Sequence, residues 1–479
     1  MSKRTKIVCT IGPASESKEI LLEMVKAGMN VARLNFSHGT YENHAMLIRN
    51  IREVEKQTGE PIAIMQDLRG PKIRVGKLPA EGVELKNKEE VEFDTSVTEY
   101  QDNVIPIDYF ELAKFLKVGE RILFNDGRIE VKIESIKNNR IKTKVVVGGL
   151  LLSQKGINVP DSHFTGKALT EKDKEDLKFG VEQGVDFMAM SFVTDAEDIL
   201  DLKYLIKQSE SEAKHQPGQP IRIIAKIERA EAVKNIDKIL SVVDGIMVAR
   251  GDLGIEIPAQ KVPLVQKQLI DLALTAGKPV IVATQMLDSM QENPRPTRAE
   301  VSDVANAVID HTDAVMLSNE SASGKYPLEA VKTMASIIIE TEESVYDNLK
   351  IGEKAETSIH VDDVISGMSR LLAEKVGAKI ILAASLSGET GRLISRHRPE
   401  LPIIVATGTE RVQRQLNLSW GVVPFILHPC RTIEELVERS VVYLKENNTV
   451  KTGDKLIVVA GEPVGEAGKV NLLEVREIE

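Results

Sequence analysis

The amino-acid sequence predicts an α/β chain: a (β/α)8 TIM barrel, a small β-barrel lid domain inserted into it, and a C-terminal α/β domain. Three observations carry this. Eight short apolar runs ending in polar or glycine residues recur up to about residue 322, most of them separated by helix-like segments. Between the third and fourth runs lie about a hundred residues that alternate in polarity like exposed-face strands. A further α/β series begins near residue 350. The length of 479 residues also exceeds the roughly 250 to 300 at which single cores stop growing, so several domains are expected.

The eight runs, in order, are KIVCTIG (6–12), NVARLNFSHG (30–39), IAIMQDLRG (62–70), VDFMAMSFV (185–193), IRIIAKIE (221–228), GIMVARGDLG (245–254), PVIVATQML (279–287) and DAVMLSNESA (313–322). Helical patterns such as SESKEILLEMVKAG (15–28) and ALTEKDKEDLKFGVEQG (168–184) lie between them, with capping residues ahead and glycine behind. Strands alternating with helices imply a parallel sheet, and eight units imply a closed barrel. The inserted segment contains VELKNKEEVEFD, RILFND, RIEVKIESI and RIKTKVVVGG, punctuated by NDG, KNNR and GG. Barrel sites form at the C-terminal ends of strands, so an insertion after the third strand overhangs the site as a lid. The C-terminal series offers the strands KIILAAS, PIIVATG, VVPFIL, KLIVVAG and LLEVREI. The expected division is 1–70 with 169–345 for the barrel, 71–168 for the lid and 346–479 for the C-terminal domain.

Composition narrows the function. Hydrophobic residues make up 42% and charged residues 28%, ordinary for a soluble globular protein. A net charge of -10 argues against a nucleic-acid partner. Cys9 and Cys430 form neither a disulfide framework nor a zinc motif. No signal-peptide core and no run of 18 apolar residues is present, so no membrane association and a cytoplasmic location are expected.

The stretch IIAKIERAEA (223–232) says most about chemistry. In a strand, Ile224, Lys226 and Glu228 share one face while Ile223, Ala225 and Ile227 share the other. That face turns from oily to charged as the strand ends. Other strand ends add Arg33, Asn35, Ser37 and His38, then Asp67, Arg69, Lys72 and Arg74, then Arg250 and Asp252, Thr284 and Glu320. Glu228 and Asp252 are oxygen donors of the kind Mg2+ prefers. The amides of Gly251 and Asp252 could grip a carboxylate if a helical turn starts there. Arg33, Arg74, Lys155 and Lys226 suit phosphoryl groups. No GxxxxGK[ST] occurs, so phosphoryl transfer would rely on cations and metal ions to spread developing charge. A Mg2+-dependent barrel lyase would also use Glu228 and Asp252, but it needs neither Lys226 nor a lid.

These residues carry a resemblance. RLNFSHG, DLRGPKIR, KGINVP, IIAKIE, GIMVARGDLGIEIP, ATQMLDSM, NPRPTRAEVSDVANAV and KYPLEAV make the chain resemble the pyruvate kinases along essentially its whole length. The resemblance implies transfer of the phosphoryl group of phosphoenolpyruvate to ADP, then protonation of the enolate to pyruvate. It implies that Lys226 and Arg33 meet the transferring group, that Glu228 and Asp252 hold Mg2+, with Mn2+ able to substitute, and that Gly251, Asp252 and Thr284 bind the pyruvate part. Thr284 would also lie near the face where the proton arrives. Asn35, His38, Arg74 and Lys155 would approach the nucleotide phosphates. Members that need K+ hold it with residues matching Asn35, Ser37, Asp67 and the carbonyl of Leu68, and carry a glutamate where this chain has Lys72; K+-independent activity is therefore expected. The resemblance further implies a homotetramer and a sugar-phosphate or nucleotide effector on the loop containing Ser385, Ser387, Gly388 and Thr390. With the sequence ending at Glu479, the phosphohistidine-type domain appended in some bacterial relatives is not expected.

Overall fold

The computed structural model describes residues 3–125, 127–162, 168–213, 219–349, 360–461 and 470–479. Eight parallel strands close into a barrel: β1 (Lys6–Thr10), β2 (Val31–Asn35), β3 (Ala63–Asp67), β4 (Phe187–Met190), β5 (Arg222–Ile227), β6 (Gly245–Ala249), β7 (Val280–Ala283) and β8 (Ala314–Leu317). Each pairs with its neighbours in sequence, and β8 returns to β1 with Lys6 opposite Ala314. Every strand falls inside a predicted run. Each run continues past its strand into a loop, because the polar residues there leave the ladder at the barrel mouth.

The period of two divides each strand between two cores. Val8, Val31, Met65, Phe187, Ile224 and Met247 fill the barrel interior. Ile223, Ala225 and Ile227 pack outward among the helices. Burying each of the larger of these side chains stabilises by about 1.5 to 3 kcal/mol. Leu418, from the C-terminal domain, joins the interior cluster. Helix Glu171–Gln183 begins with a capping box between Thr170 and Asp173 and stops at Gly184, where φ is 69°. Losing a cap of this kind costs about 1 kcal/mol.

The chain leaves the barrel after β3 and returns before β4. In between it forms a six-stranded sheet, whose longest strands are Ile129–Lys137 and Arg140–Val147, and a two-stranded sheet of Val83–Leu85 with Gly149–Leu151. Phe93 and Phe124 stack at 5.0 Å in its own core. Among the described residues the long ladder stays open, and single bridges such as Arg74 with Gly156 and Val75 with Ile107 join its margins.

The C-terminal sheet contains β9 (Ile380–Ala384), β10 (Ile403–Thr407), β11 (Val422–Ile426), β12 (Lys455–Ala460) and β13 (Leu472–Glu477), ordered β11-β10-β9-β12-β13 with the last antiparallel. All five were expected. Arg398, 1% exposed, ties this domain to the barrel by donating to the carbonyl of His311 at 2.7 Å and pairing with Asp313 at 3.1 Å. No described helix is long and apolar enough to cross a membrane.

Candidate active site

Lys226 is the hub of the barrel mouth. Its Nζ lies 2.8 Å from Glu228 Oε1, 3.4 Å from Asp67 Oδ1 and 2.7 Å from Ser191 Oγ. The shared face predicted for Lys226 and Glu228 is therefore the face that points inward and up. Arg33, at the end region of β2, donates through Nε to Asp67 Oδ2 at 2.7 Å and through Nη1 to Thr10 Oγ1 at 2.8 Å. Three strand ends thus converge on one buried ion network. Burial opposes the charge on Lys226, but Asp67 and Glu228 outweigh it and hold the ammonium well above its ordinary value. Burial likewise pushes Asp67 up, and Lys226 with Arg33 brings it below the usual carboxylate range. Cation and anion hold each other charged.

Glu228 behaves differently. It is 1% exposed and accepts the backbone N–H of Phe192 at 2.8 Å. Its carboxyl is pushed up by burial and by the neighbouring Asp252, despite the pull of Lys226. With Glu228, Asp67 and Ser191 around Nζ, Lys226 keeps its charge and the pair is ionic. A divalent cation near Glu228 and Asp252 would relieve that upward push. No group of three or more His, Cys, Asp or Glu residues suited to a metal occurs among the described residues. As two carboxylate oxygen donors, Glu228 and Asp252 suit an ion that takes its remaining ligands from water and substrate, as Mg2+ does.

A helical turn does start at the end of β6, as helix Arg250–Glu256. The amide of Gly251 already donates to Thr284 Oγ1 at 2.8 Å, so a ligand carboxylate would compete with that hydroxyl. Thr284 and Gln285 sit at φ 70° and 55°, a left-handed pair without glycine. Such strain clusters at functional turns. Arg250 braces the turn by donating to the Thr284 carbonyl at 2.8 Å while it forks onto Asp303 at 2.7 Å.

Of the groups expected at a K+ site, oxygens of Asn35, Asp67 and Leu68 are engaged within the protein. Asn35 Oδ1 accepts the amide of Ser37 at 3.1 Å, and the Leu68 carbonyl accepts Ser191 Oγ at 2.8 Å. Both Asp67 oxygens meet cations. Lys72 starts the lid and lies across Gly156, where a Cβ would come within 3.2 Å of its Cε. Arg74 donates to the Gln154 carbonyl at 2.9 Å, and Lys155 is on the returning lid connection beside it. His38 is exposed on the loop after β2, its carbonyl 2.9 Å from His44 Nε2.

Sequence reasoning missed Ser191 and Thr10. A serine closing the run FMAM was the available signal for the first. Glu320, grouped with the site, instead serves the fold: it is buried and accepts the amides of Leu287 at 3.1 Å and Ser318 at 2.7 Å.

At the mouth of the C-terminal sheet, Ser385, Ser387 and Thr390 line a cavity of about 130 Å³. Gly388 lies beside it as the left-handed cap of helix Glu389–Ser395, with φ 78°. Ser385 Oγ accepts the Thr390 amide at 3.3 Å. Asp362 and Glu389 line the cavity, and no lysine or arginine does so among the described residues.

Comparison with known proteins agrees with this geometry. The family model described as pyruvate kinase, barrel domain, matches residues 2–331, and the pyruvate kinase alpha/beta domain matches 363–476. The chain is 45% identical to a pyruvate kinase of Geobacillus stearothermophilus, over 100% of this chain and 81% of that protein. It is 42% identical to one of Clostridium acetobutylicum over 100% of both chains. A solved pyruvate kinase structure from Cryptosporidium parvum matches with a TM-score of 0.91 at 34% identity, covering 100% of this chain and 96% of that one. The chain therefore belongs to the pyruvate kinase family and is a phosphotransferase of that class.

Proposed function

We propose that the barrel mouth moves the phosphoryl group of phosphoenolpyruvate to ADP with Mg2+ held by Glu228 and Asp252, and without a need for K+. The observation that carries this reading is the buried Arg33, Asp67, Lys226 and Glu228 network at three strand ends. The bond from phosphorus to the enol oxygen breaks as a bond to a terminal ADP oxygen forms. Lys226 and Arg33 face the charge spread over the transferring group. The enolate left behind takes a proton at its methylene carbon, on the face near Thr284. Bound Mg2+, or Mn2+ in its place, would supply Lewis-acid charge at the phosphoryl and carboxylate oxygens. Gly251 and Asp252 orient the carboxylate end, with Thr284 Oγ1 exchanging partners.

On the acceptor side, Asn35, His38, Arg74 and Lys155 approach the ADP phosphates. Lys72 supplies a fixed positive charge where K+-dependent relatives have an ion, which is consistent with the internal engagement of Asn35, Asp67 and Leu68. The working division into 1–70 with 169–345, 71–168 and 346–479 assigns donor, lid and regulatory roles in turn. A homotetramer in the cytoplasm, with a sugar-phosphate or nucleotide effector at Ser385, Ser387, Gly388 and Thr390, completes the proposal. A coupled assay for pyruvate tests it: ADP-dependent turnover that needs Mg2+ but not K+ is expected, and pyruvate release without ADP would contradict it.

A further inference from the structure

We propose that Glu256 is a positioning residue that joins the lid to the helix bearing Asp252, and so sets where the lid's cations meet the acceptor nucleotide. The inference rests on the reading above, in which ADP phosphates lie between lid and barrel. Glu256 ends helix Arg250–Glu256, one turn after Asp252 and on the same face. Its side chain is 5% exposed. It faces a small cavity between the two lid connections, residues 71–73 and 157–159, and the barrel residues Phe192 and Arg229.

Two segments meet the carboxylate there. Asn158, on the returning connection, lines the same cavity as Glu256, and its side chain draws the Glu256 carboxyl down against the upward push of burial. Arg229, which follows Glu228, brings Nε to 3.9 Å from Oε2, and that oxygen has no hydrogen-bond partner among the described residues. A buried carboxylate oxygen held only by a long ion pair is a contact that a small movement tightens. The lid connections are also zipped to each other. The amide of Ile157 donates to Ile73 at 3.0 Å and that of Val75 to Lys155 at 2.9 Å. Wherever Glu256 holds Asn158, Arg74 and Lys155 must follow. Glu256 thus ties the metal-facing helix, the residue after Glu228 and the nucleotide-facing cations to one point.

Steady-state kinetics of the full-length enzyme test this with Glu256→Ala, Glu256→Gln, Asn158→Ala and the double alanine variant. The expected result is a rise of about five- to tenfold in KM for ADP for each single alanine variant, with KM for phosphoenolpyruvate within about twofold. The double variant should be no worse than the worse single, as members of one contact behave. Glu256→Gln, which keeps an acceptor for Asn158, should fall between wild type and Glu256→Ala. Equal rises in both KM values, or fully additive losses, would overturn the proposal. If Glu256→Ala does not fold, Asn158→Ala carries the test, and an unchanged KM for ADP overturns it. A wild type lacking ADP-dependent pyruvate formation would strike the reading beneath; active wild type with flat variants would strike this inference alone.

Discussion

At the barrel mouth, Arg33, Asp67, Lys226 and Glu228 touch one another in a buried network. The C-terminal sheet opens instead on a cavity lined by Ser385, Ser387 and Thr390, with two carboxylates and no lysine or arginine among the described residues. Both mouths lie at the C-terminal ends of parallel strands, where such sheets place ligands. Topology makes the two alike, and charge separates them. The first can neutralise a phosphoryl group in flight. The second offers hydroxyls and backbone groups, and a phosphate there would face Asp362 and Glu389. Chemistry is expected at one and modulation at the other.

Changes at the barrel mouth should therefore be large. Glu228→Gln is expected to lower kcat by roughly 10²- to 10³-fold, as loss of a group aimed at developing charge does. Rates across a Mg2+ series with direct Mn2+ binding check it, and unchanged metal affinity would remove Glu228 from the metal. Thr284→Gly should relieve left-handed strain while removing Oγ1, so melting temperature should hold or rise as kcat falls by about tenfold or more. A parallel loss of stability and activity would contradict the assignment.

Lys72→Glu probes the border between barrel and lid. It should create a K+ response of about tenfold, corresponding to ~1.4 kcal/mol, where wild type shows none. A tenfold K+ response in wild type itself would contradict the role given to Lys72. The smallest effect belongs to the C-terminal cavity. Ser387→Ala should leave basal turnover within about twofold of wild type. It should shift the half-saturation of any effector among fructose 1,6-bisphosphate, ribose 5-phosphate and AMP, titrated at low phosphoenolpyruvate. A basal loss like that of Glu228→Gln would erase the contrast between the two mouths.

Much of this was legible in the residues. The alternation in IIAKIE put Lys226 and Glu228 on one face, and the structure turns that face inward because Ile223, Ala225 and Ile227 pack against the helices. Strand-end polarity also found Asp67 and Arg33. It overreached at Glu320, which lies past its strand in the short helix Asn319–Ala322 and spends its carboxylate on two backbone amides. Ser191 stayed hidden because a lone hydroxyl after an apolar run has no charge pattern to mark it, although it bridges Lys226 and Leu68. The hydrogen bond from Gly251 to Thr284 was equally silent, since it depends on a helix start and a turn 33 residues apart meeting in space.

The central claim is that Lys226 meets the transferring phosphoryl group, and Lys226→Met tests it most directly. ADP-dependent pyruvate formation should fall by roughly 10³-fold or more, with circular dichroism checking that the variant stays folded although Glu228 loses its cation while Asp67 keeps Arg33. Turnover within about twofold of wild type would contradict the account.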